Sequence, residues 1–400
     1  MSVWLIEPLD PLIARDGRPS AIGRFDTTNF PFPSMVAGAV RTRMGSVNGA
    51  FALSGNALDE LKERVHVRGP LLAELSPEDG AVEHWLAPAP RDAMILKEEE
   101  EGAKPEIRRL VPGSLASGEA LDSFRDKGLR PLCLNGSGGR GKPPQGIPDF
   151  WRWSRFESWL RSPGDAPDID LAALGAERLP VEVRAHLAIQ PGERVGLDGM
   201  LFQTSGLRFL HEGPKGSSPL SPRCFALSLW SRGATVAGRD LDLSAQLAPL
   251  GGERRLARWS RASREWPQLP PDVLETIVET GRARLILLTP AVFAQGALPG
   301  WNDTARSPWT ETIPVTATVR AAAVTRPEIV SGWDLATGRP KKTRRLAPAG
   351  SVYFIELAGA RPDLRRWCEE TWLACVSDDA QDRRDGFGLA VLGTWKEDAK

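Results

Sequence analysis

The stretch Arg383–Trp395, RRDGFGLAVLGTW, sets Gly386, Gly388 and Gly393 in a GxGxxxxG spacing behind two arginines. A dinucleotide-binding fingerprint runs strand, glycines, helix, with its glycines at GxGxxG. Here the order is reversed. RPDLRRWCEETWLACV predicts a helix over about 362–376, with Leu364, Trp367, Thr371, Trp372 and Cys375 along one side, and LAVLGTW predicts a strand after the loop. Val391 and Leu392 stand where the fingerprint needs its third glycine. Helix, basic glycine loop, strand fits the end of an α+β sandwich better than a cofactor-binding turn.

The N-terminus reads the same way. VWLIE, residues 3–7, predicts a strand, and Pro31 and Pro33 block any earlier helix start. Ser34 is then the expected N-cap of a helix carrying Met35, Ala39 and Val40. ALDELKERV predicts a second helix and HVRGPLLAEL a strand. Residues 97–148 differ: the charge run KEEEEGAKPEIRR and the tract NGSGGRGKPPQGIP predict an insertion or mobile loop. DFWRWSRFESWLRS follows as an expected amphipathic helix, with Trp151, Phe156, Trp159 and Leu160 facing a core. Strands resume at VEVRAHLAI, RCFALSLWS, RLILLTP and SVYFIEL. A chain of 400 residues suggests two domains, divided here as 1–180 and 181–400.

Composition excludes several classes. Hydrophobic content of 41% supports a sizeable core, and 51 basic residues against 51 acidic ones leave no global charge to attract nucleic acid. The 4 cysteines form no CxxC pair, which argues against a disulfide framework or structural zinc. The opening MSVWLIEPLDPLIARDG lacks a cationic n-region, and no apolar run approaches the roughly 20 residues of a membrane helix. The expectation is a soluble cytoplasmic protein with no membrane contact.

Enzyme motifs fail one by one. GSGGRGK at 136–142 satisfies GxxxxGK, but Pro143 follows Lys142 where a P-loop needs Ser or Thr and a helix. His66, His84, His186 and His211 show no metal-binding spacing, and no GxSxG elbow appears. SDDAQDRRD predicts a solvated loop. No catalytic residue, metal site or cofactor is expected. Local basic clusters are more informative. Arg15, Arg18 and Arg24 flank a glycine loop, and Arg41 and Arg43 lie on the helix after it. Arg254 and Arg255 follow Gly251 and Gly252, and Lys341, Lys342, Arg344 and Arg345 follow Trp333. Glycines admit a close backbone and guanidinium groups pair with phosphates, a combination suited to tracking an RNA backbone.

Seven ordered blocks carry a resemblance: RDGRPSAIGRFDTTNFPFPSMVAGAVRTR, HVRGPLL, GMLFQTSGLRF, GGERRLARW, LLTPAVFAQGALPGW, PEIVSGWDLATGRPKKTRRLAPAGSVYFIEL and GFGLAVLGTW. Together they resemble the third subunit of type III-B CRISPR effectors, a RAMP protein, over nearly the whole chain. The resemblance implies two ferredoxin-like, RRM-related domains with inserted loops, closed by the glycine-rich loop 383–395. It implies a non-nuclease that caps the 5′ repeat-derived tag of the CRISPR RNA. Its expected partners are the large polymerase-like subunit, the RAMP backbone subunit and, indirectly, target RNA. The RNA-binding elements it implies are three: Arg15 and Arg18 with Ser34 and Gly38; Gly251–Arg255; and Arg384, Gly386, Phe387 and Gly388, with Phe387 stacking on a base. The Lys341–Arg345 run is a looser candidate. The alternative is a metal-independent RAMP endoribonuclease that processes CRISPR RNA precursor, with His186 as general base.

Overall fold

The computed structural model describes residues 2–17, 24–47, 49–100, 102–114, 128–135, 141–190, 192–193, 195–211, 222–310, 312–334 and 338–395. They form a mixed α/β protein of two compact units, each assembled from three segments, where the sequence reading divides the chain once at 180/181. Unit 1 comprises 1–83, 178–265 and 329–345; unit 2 comprises 84–177, 266–328 and 346–400.

Unit 1 is built on strands β1 (Ser2–Pro8), β2 (Val67–Leu75), β3 (Val181–Ile189), β4 (Gly196–Leu207), β5 (Arg223–Ser231), β6 (Gln246–Pro249) and β7 (Leu256–Arg261). Five of them lie in one antiparallel sheet in the order β2-β5-β1-β7-β6. The unbroken apolar run Val3–Ile6 makes β1 a central strand, and all four of its side chains are buried. Helix α1 (Pro33–Met44) turns Val36, Ala37, Val40 and Met44 inward and packs on β2. α2 (Asn56–Arg64) runs into that strand through Val65 and His66. β3 and β4 form a long hairpin, in register from Val181↔Leu207 to Leu187↔Leu201 and shifted before Ile189↔Gly196.

Unit 2 holds a four-stranded antiparallel sheet of β8 (Arg282–Leu287), β9 (Thr316–Ala323), β10 (Val352–Ala358) and β11 (Ala390–Thr394), ordered β9-β10-β8-β11. Its helices are α3 (Trp153–Arg161), α4 (Leu171–Leu174), α5 (Pro271–Thr280), α6 (Arg361–Thr371) and α7 (Ala380–Arg384), and α3, α5 and α6 pack against β11. No helix among the described residues is long and apolar enough to cross a membrane.

Between β8 and β9 the described residues form no helix. Instead an irregular segment rich in Pro, Gly and Trp packs on α6, and its indoles find polar partners. Trp309 donates to Thr371 (3.0 Å), and Trp367 on α6 donates back to Ser307 (3.0 Å).

The closing order of helix, loop and strand is found, with α7 added between α6 and β11. Leu364, Trp367 and Thr371 are buried along α6, as the spacing predicts; Trp372 caps that helix and Cys375 bridges Leu389. Phe156, Trp159 and Leu160 are core residues of α3, whereas Trp151 sits on the strand Phe150–Arg152 just before it. The expected loop 97–148 contains the paired strands Glu106–Pro112 and Leu132–Leu134, and residues 136–140 of GSGGRGK lie outside the described residues. Lys142 hydrogen-bonds the Lys97 backbone in both directions and pairs with Glu99 at 2.5 Å. SDDAQDRRD is not a solvated loop. Asp379 caps α7, Asp382 and Asp385 are buried, and the Asp378 carboxylate accepts from Ala294 N–H and Gly300 N–H. Burial pushes the Asp378 pKa up despite those bonds.

Candidate nucleic-acid interface

Segment Leu9–Gly17 leaves β1 but does not continue as a strand. Leu12, Ile13 and Ala14 are each only 1% exposed, so their backbone groups need partners inside the protein. The arginine- and glycine-bearing blocks of unit 1 supply them. Leu12 and Leu207 exchange both N–H···O bonds at 2.8 Å, and Gly252 N–H donates to Ile13 O at 2.9 Å. Arg255 Nη1 donates to Pro11 O at 2.8 Å, Thr28 N–H to Ala14 O at 2.7 Å, and Ser331 N–H to Asp16 O at 2.6 Å.

Two glycines make the junction possible. Gly251 holds φ +72°, and a Cβ there would lie 2.6 Å from Ile13 O. At Gly17, φ is +77° and a Cβ would stand 2.5 Å from Gly332 N. Gly17→Ala is therefore expected to cost about 1–3 kcal/mol. It should also raise hydrogen exchange at the Ser331 amide. An unchanged urea midpoint together with an unchanged Ser331 exchange rate would show that the contact carries no energy.

The block GMLFQTSGLRF acquires a role that its composition does not reveal. Gln203 and Thr204 pair in parallel with Arg24 and Phe25, Ser205 Oγ accepts from Thr27 N–H at 2.8 Å, and Leu207 holds Leu12. It is the clasp of the junction.

The sequence candidates then separate. Arg15, Arg254, Lys341, Lys342 and Arg345 are exposed, and Arg344 is half-buried. Lys341 N–H donates to Gly332 O at 2.8 Å and Ser331 Oγ to Lys341 O at 2.8 Å, which ties the lysine run to the loop bearing Arg15. Glu253 and Arg254 both hold positive φ, 59° and 53°, a conformation unusual for two consecutive non-glycine residues.

Other candidates do structural work. Arg255 is bound to Pro11 O and Glu253. Arg41 donates to Val65 O at 3.0 Å. Arg43 lies 4.4 Å from the Trp259 ring centroid, and burial pushes its pKa down. Ser34 is not the cap of α1: Phe32 holds that place with no side-chain bond, because Pro33, with its fixed φ and missing N–H, occupies the first helical position. Gly38 is exposed, with open space where a Cβ would be. Arg24 is placed by its backbone alone, and Arg18 lies outside the described residues.

The closing loop belongs to unit 2 and is not open to a phosphate. Phe387 is 0% exposed, and Gly386 and Gly388 are buried. All three amides are committed: Gly386 N–H to Arg383 O, Phe387 N–H to Asp382 O, and Gly388 N–H to Pro290 O. Thr289 Oγ1 donates to Gly386 O at 2.7 Å and Ser377 Oγ to Phe387 O at 2.9 Å. The glycines serve a packed turn, so the stacking expected of Phe387 has no exposed ring to perform it. Arg384 is half-buried on α7.

His186 stacks on Phe202 across the β3–β4 hairpin, with centroids 4.9 Å apart, and its Nε2 lies 2.8 Å from Thr204 Oγ1.

The family model described as CRISPR-associated protein (Cas_Cmr3) matches residues 4–395. The chain belongs to that family. None of the curated proteins matches it in sequence. Among solved structures it is similar to chains of the type III-B Cmr-beta, one bound to cognate target RNA and AMPPnP and another bound to cognate target RNA. Each is 13% identical with a TM-score of 0.44, over 88% of this chain and 86% of that one.

Proposed function

We propose that this Cmr3-family chain is a non-catalytic RNA-binding scaffold. It caps the 5′ repeat-derived tag of the CRISPR RNA and bridges the large polymerase-like subunit to the RAMP backbone subunit. The observation that carries this reading is the junction at Leu9–Gly17. There, four sequence-distant blocks meet through backbone hydrogen bonds and leave Arg15, Arg254, Lys341 and Lys342 exposed. Exposed cations on a rigid backbone junction position a phosphate chain without reading its sequence.

The ferredoxin-like reading of both units is supported by strand order. Each sheet places its four main strands as fourth, first, third and second: β7-β1-β5-β2 in unit 1 and β11-β8-β10-β9 in unit 2. Unit 1 keeps a helix between its first two strands and unit 2 keeps one between its last two. In place of a second helix, unit 1 carries the hairpin Ala234–Val236 with Arg239–Leu241 and then β6, and unit 2 the irregular segment between β8 and β9, which fits two modified ferredoxin-like units. The β3–β4 hairpin, with Val183, Leu187, Ile189 and Leu201 exposed, supplies apolar surface for a subunit contact.

The test is reconstitution with the partner subunits and end-labelled CRISPR RNA. The wild-type chain should protect the tag from nuclease, and a variant carrying Arg15→Ala, Lys341→Ala and Lys342→Ala should lose that protection while the rest of the guide stays covered. Cleavage of repeat RNA by the purified chain, abolished by His186→Ala, would overturn the scaffold reading.

A further inference from the structure

A second basic site lies elsewhere on unit 1. Arg68 on β2 and Trp230 on β5 are register partners, and the Arg68 guanidinium carbon stands 4.6 Å from the Trp230 ring centroid. Arg64 at the end of α2, His66 in the link to β2, and Arg232 just past β5 complete a cleft of about 280 Å³. Among the described residues its lining is three arginines, a histidine and a tryptophan, with no carboxylate. Glu60, outside the lining, pairs with Arg64 at 2.9 Å and accepts from Ala237 N–H at 2.8 Å, and Arg64 also donates to Thr235 O at 3.2 Å. His66 Nε2 lies 3.1 Å from Glu63 O. Among the described residues, Arg68 and Arg232 form no ion pair.

Arg68 and Arg232, with no ion pair among the described residues, and Arg64, paired with Glu60, leave the cleft a net positive charge that an anion would offset. The Arg68 guanidinium sits over the indole, and a guanidinium supported on an aromatic ring can still grip phosphate oxygens in pairs. The indole itself offers a flat apolar wall on which a base can rest. The volume sits just under the roughly 300–1,000 Å³ of ordinary ligand clefts, which restricts the occupant to one nucleotide unit.

We propose that this cleft binds a phosphate ester bearing an aromatic base, through Arg64, Arg68 and Arg232 on the phosphate and Trp230 beside the base. Free mononucleotide and one nucleotide of an RNA strand share that chemistry. The assignment does not rest on the tag-binding reading, because none of the five residues belongs to the Leu9–Gly17 junction.

Isothermal titration of the full chain with AMP, adenosine and inorganic phosphate tests it. AMP should fill one site, and adenosine and phosphate should each bind at least about ten-fold more weakly, since each offers half of the recognition. Arg232→Ala, at an exposed position where folding is not at stake, should weaken AMP about ten-fold, the worth of one charge-assisted contact. Trp230→Leu should bring AMP down to the affinity of phosphate. A single-stranded uridine oligoribonucleotide that displaces AMP assigns the site to an RNA strand, and one that does not assigns it to free nucleotide. Failure of AMP to bind, phosphate binding as tightly as AMP, or an Arg232→Ala chain that binds AMP unchanged would overturn the proposal.

Discussion

Arg284→Met is expected to destabilise unit 2 by about 3–5 kcal/mol, a large part of a domain's usual stability. Arg284 and Asp92 are 1% and 0% exposed, and Arg284 Nη1 meets Asp92 Oδ2 at 2.5 Å. The remaining donors are also placed: Nε donates to Thr394 O at 2.7 Å and Nη2 to Trp159 O at 2.5 Å. Asp92 Oδ1 accepts from Trp159 Nε1 at 2.9 Å. Burial pushes the Arg284 pKa down, and the attraction of Asp92 opposes that shift. Methionine would fill most of the volume but leave the Asp92 carboxylate buried with only an indole N–H. The cost therefore comes from an uncompensated charge rather than from a cavity.

The network also explains how a discontinuous unit holds together. Asp92 and Trp159 come from its first segment, Arg284 from the second and Thr394 from the third. Asp92→Asn alone should cost a similar amount. The double variant Asp92→Asn/Arg284→Met should cost clearly less than the two singles added, with a coupling of about 0.5–3 kcal/mol. Urea unfolding followed by circular dichroism measures all three. Strict additivity would show that the two residues do not act as a pair.

Legibility in the sequence followed the range of the forces involved. Val3–Ile6 and the Leu364, Trp367, Thr371 stripe could be read because a continuous apolar run and a helical period are local. Helix α5 went unread although Pro271 at its start and Gly281, at φ +65°, past its end frame it, with Val273, Leu274, Ile277 and Val278 on its inner face. The interleaving of the units was not legible, since it depends on Asp92 finding a partner 192 residues away. The same limit misdirected the closing glycines. Arginines beside glycines in sequence suggest a phosphate loop, but Thr289 and Pro290, which help to hold this one, are remote along the chain, Thr289 standing 97 residues from Gly386. At Leu9–Gly17 the reverse held: the basic blocks were visible singly, and only the backbone bonds showed that they share one junction.

That distinction yields the second large effect, on RNA. Replacing Arg15, Arg254, Lys341 and Lys342 together by alanine should weaken CRISPR RNA binding at every tag sequence alike. The plot of log affinity against log salt should flatten by about 3, at roughly 0.7 per phosphate contact on a single strand. All four are exposed, so each replacement should leave the unfolding free energy within about 0.5 kcal/mol. Arg41→Gln should behave in the opposite way: its guanidinium is bound to Val65 O, so its loss alters stability and leaves the salt slope alone. Phe387→Leu separates the two loops. A ring that is 0% exposed contributes packing, so its truncation should lower the melting temperature without touching RNA affinity. If instead Phe387→Leu removed binding while the four-alanine chain kept its slope, the RNA would have to enter at the closing glycines after an opening of that turn. The junction at Leu9–Gly17 would then be a structural clasp alone.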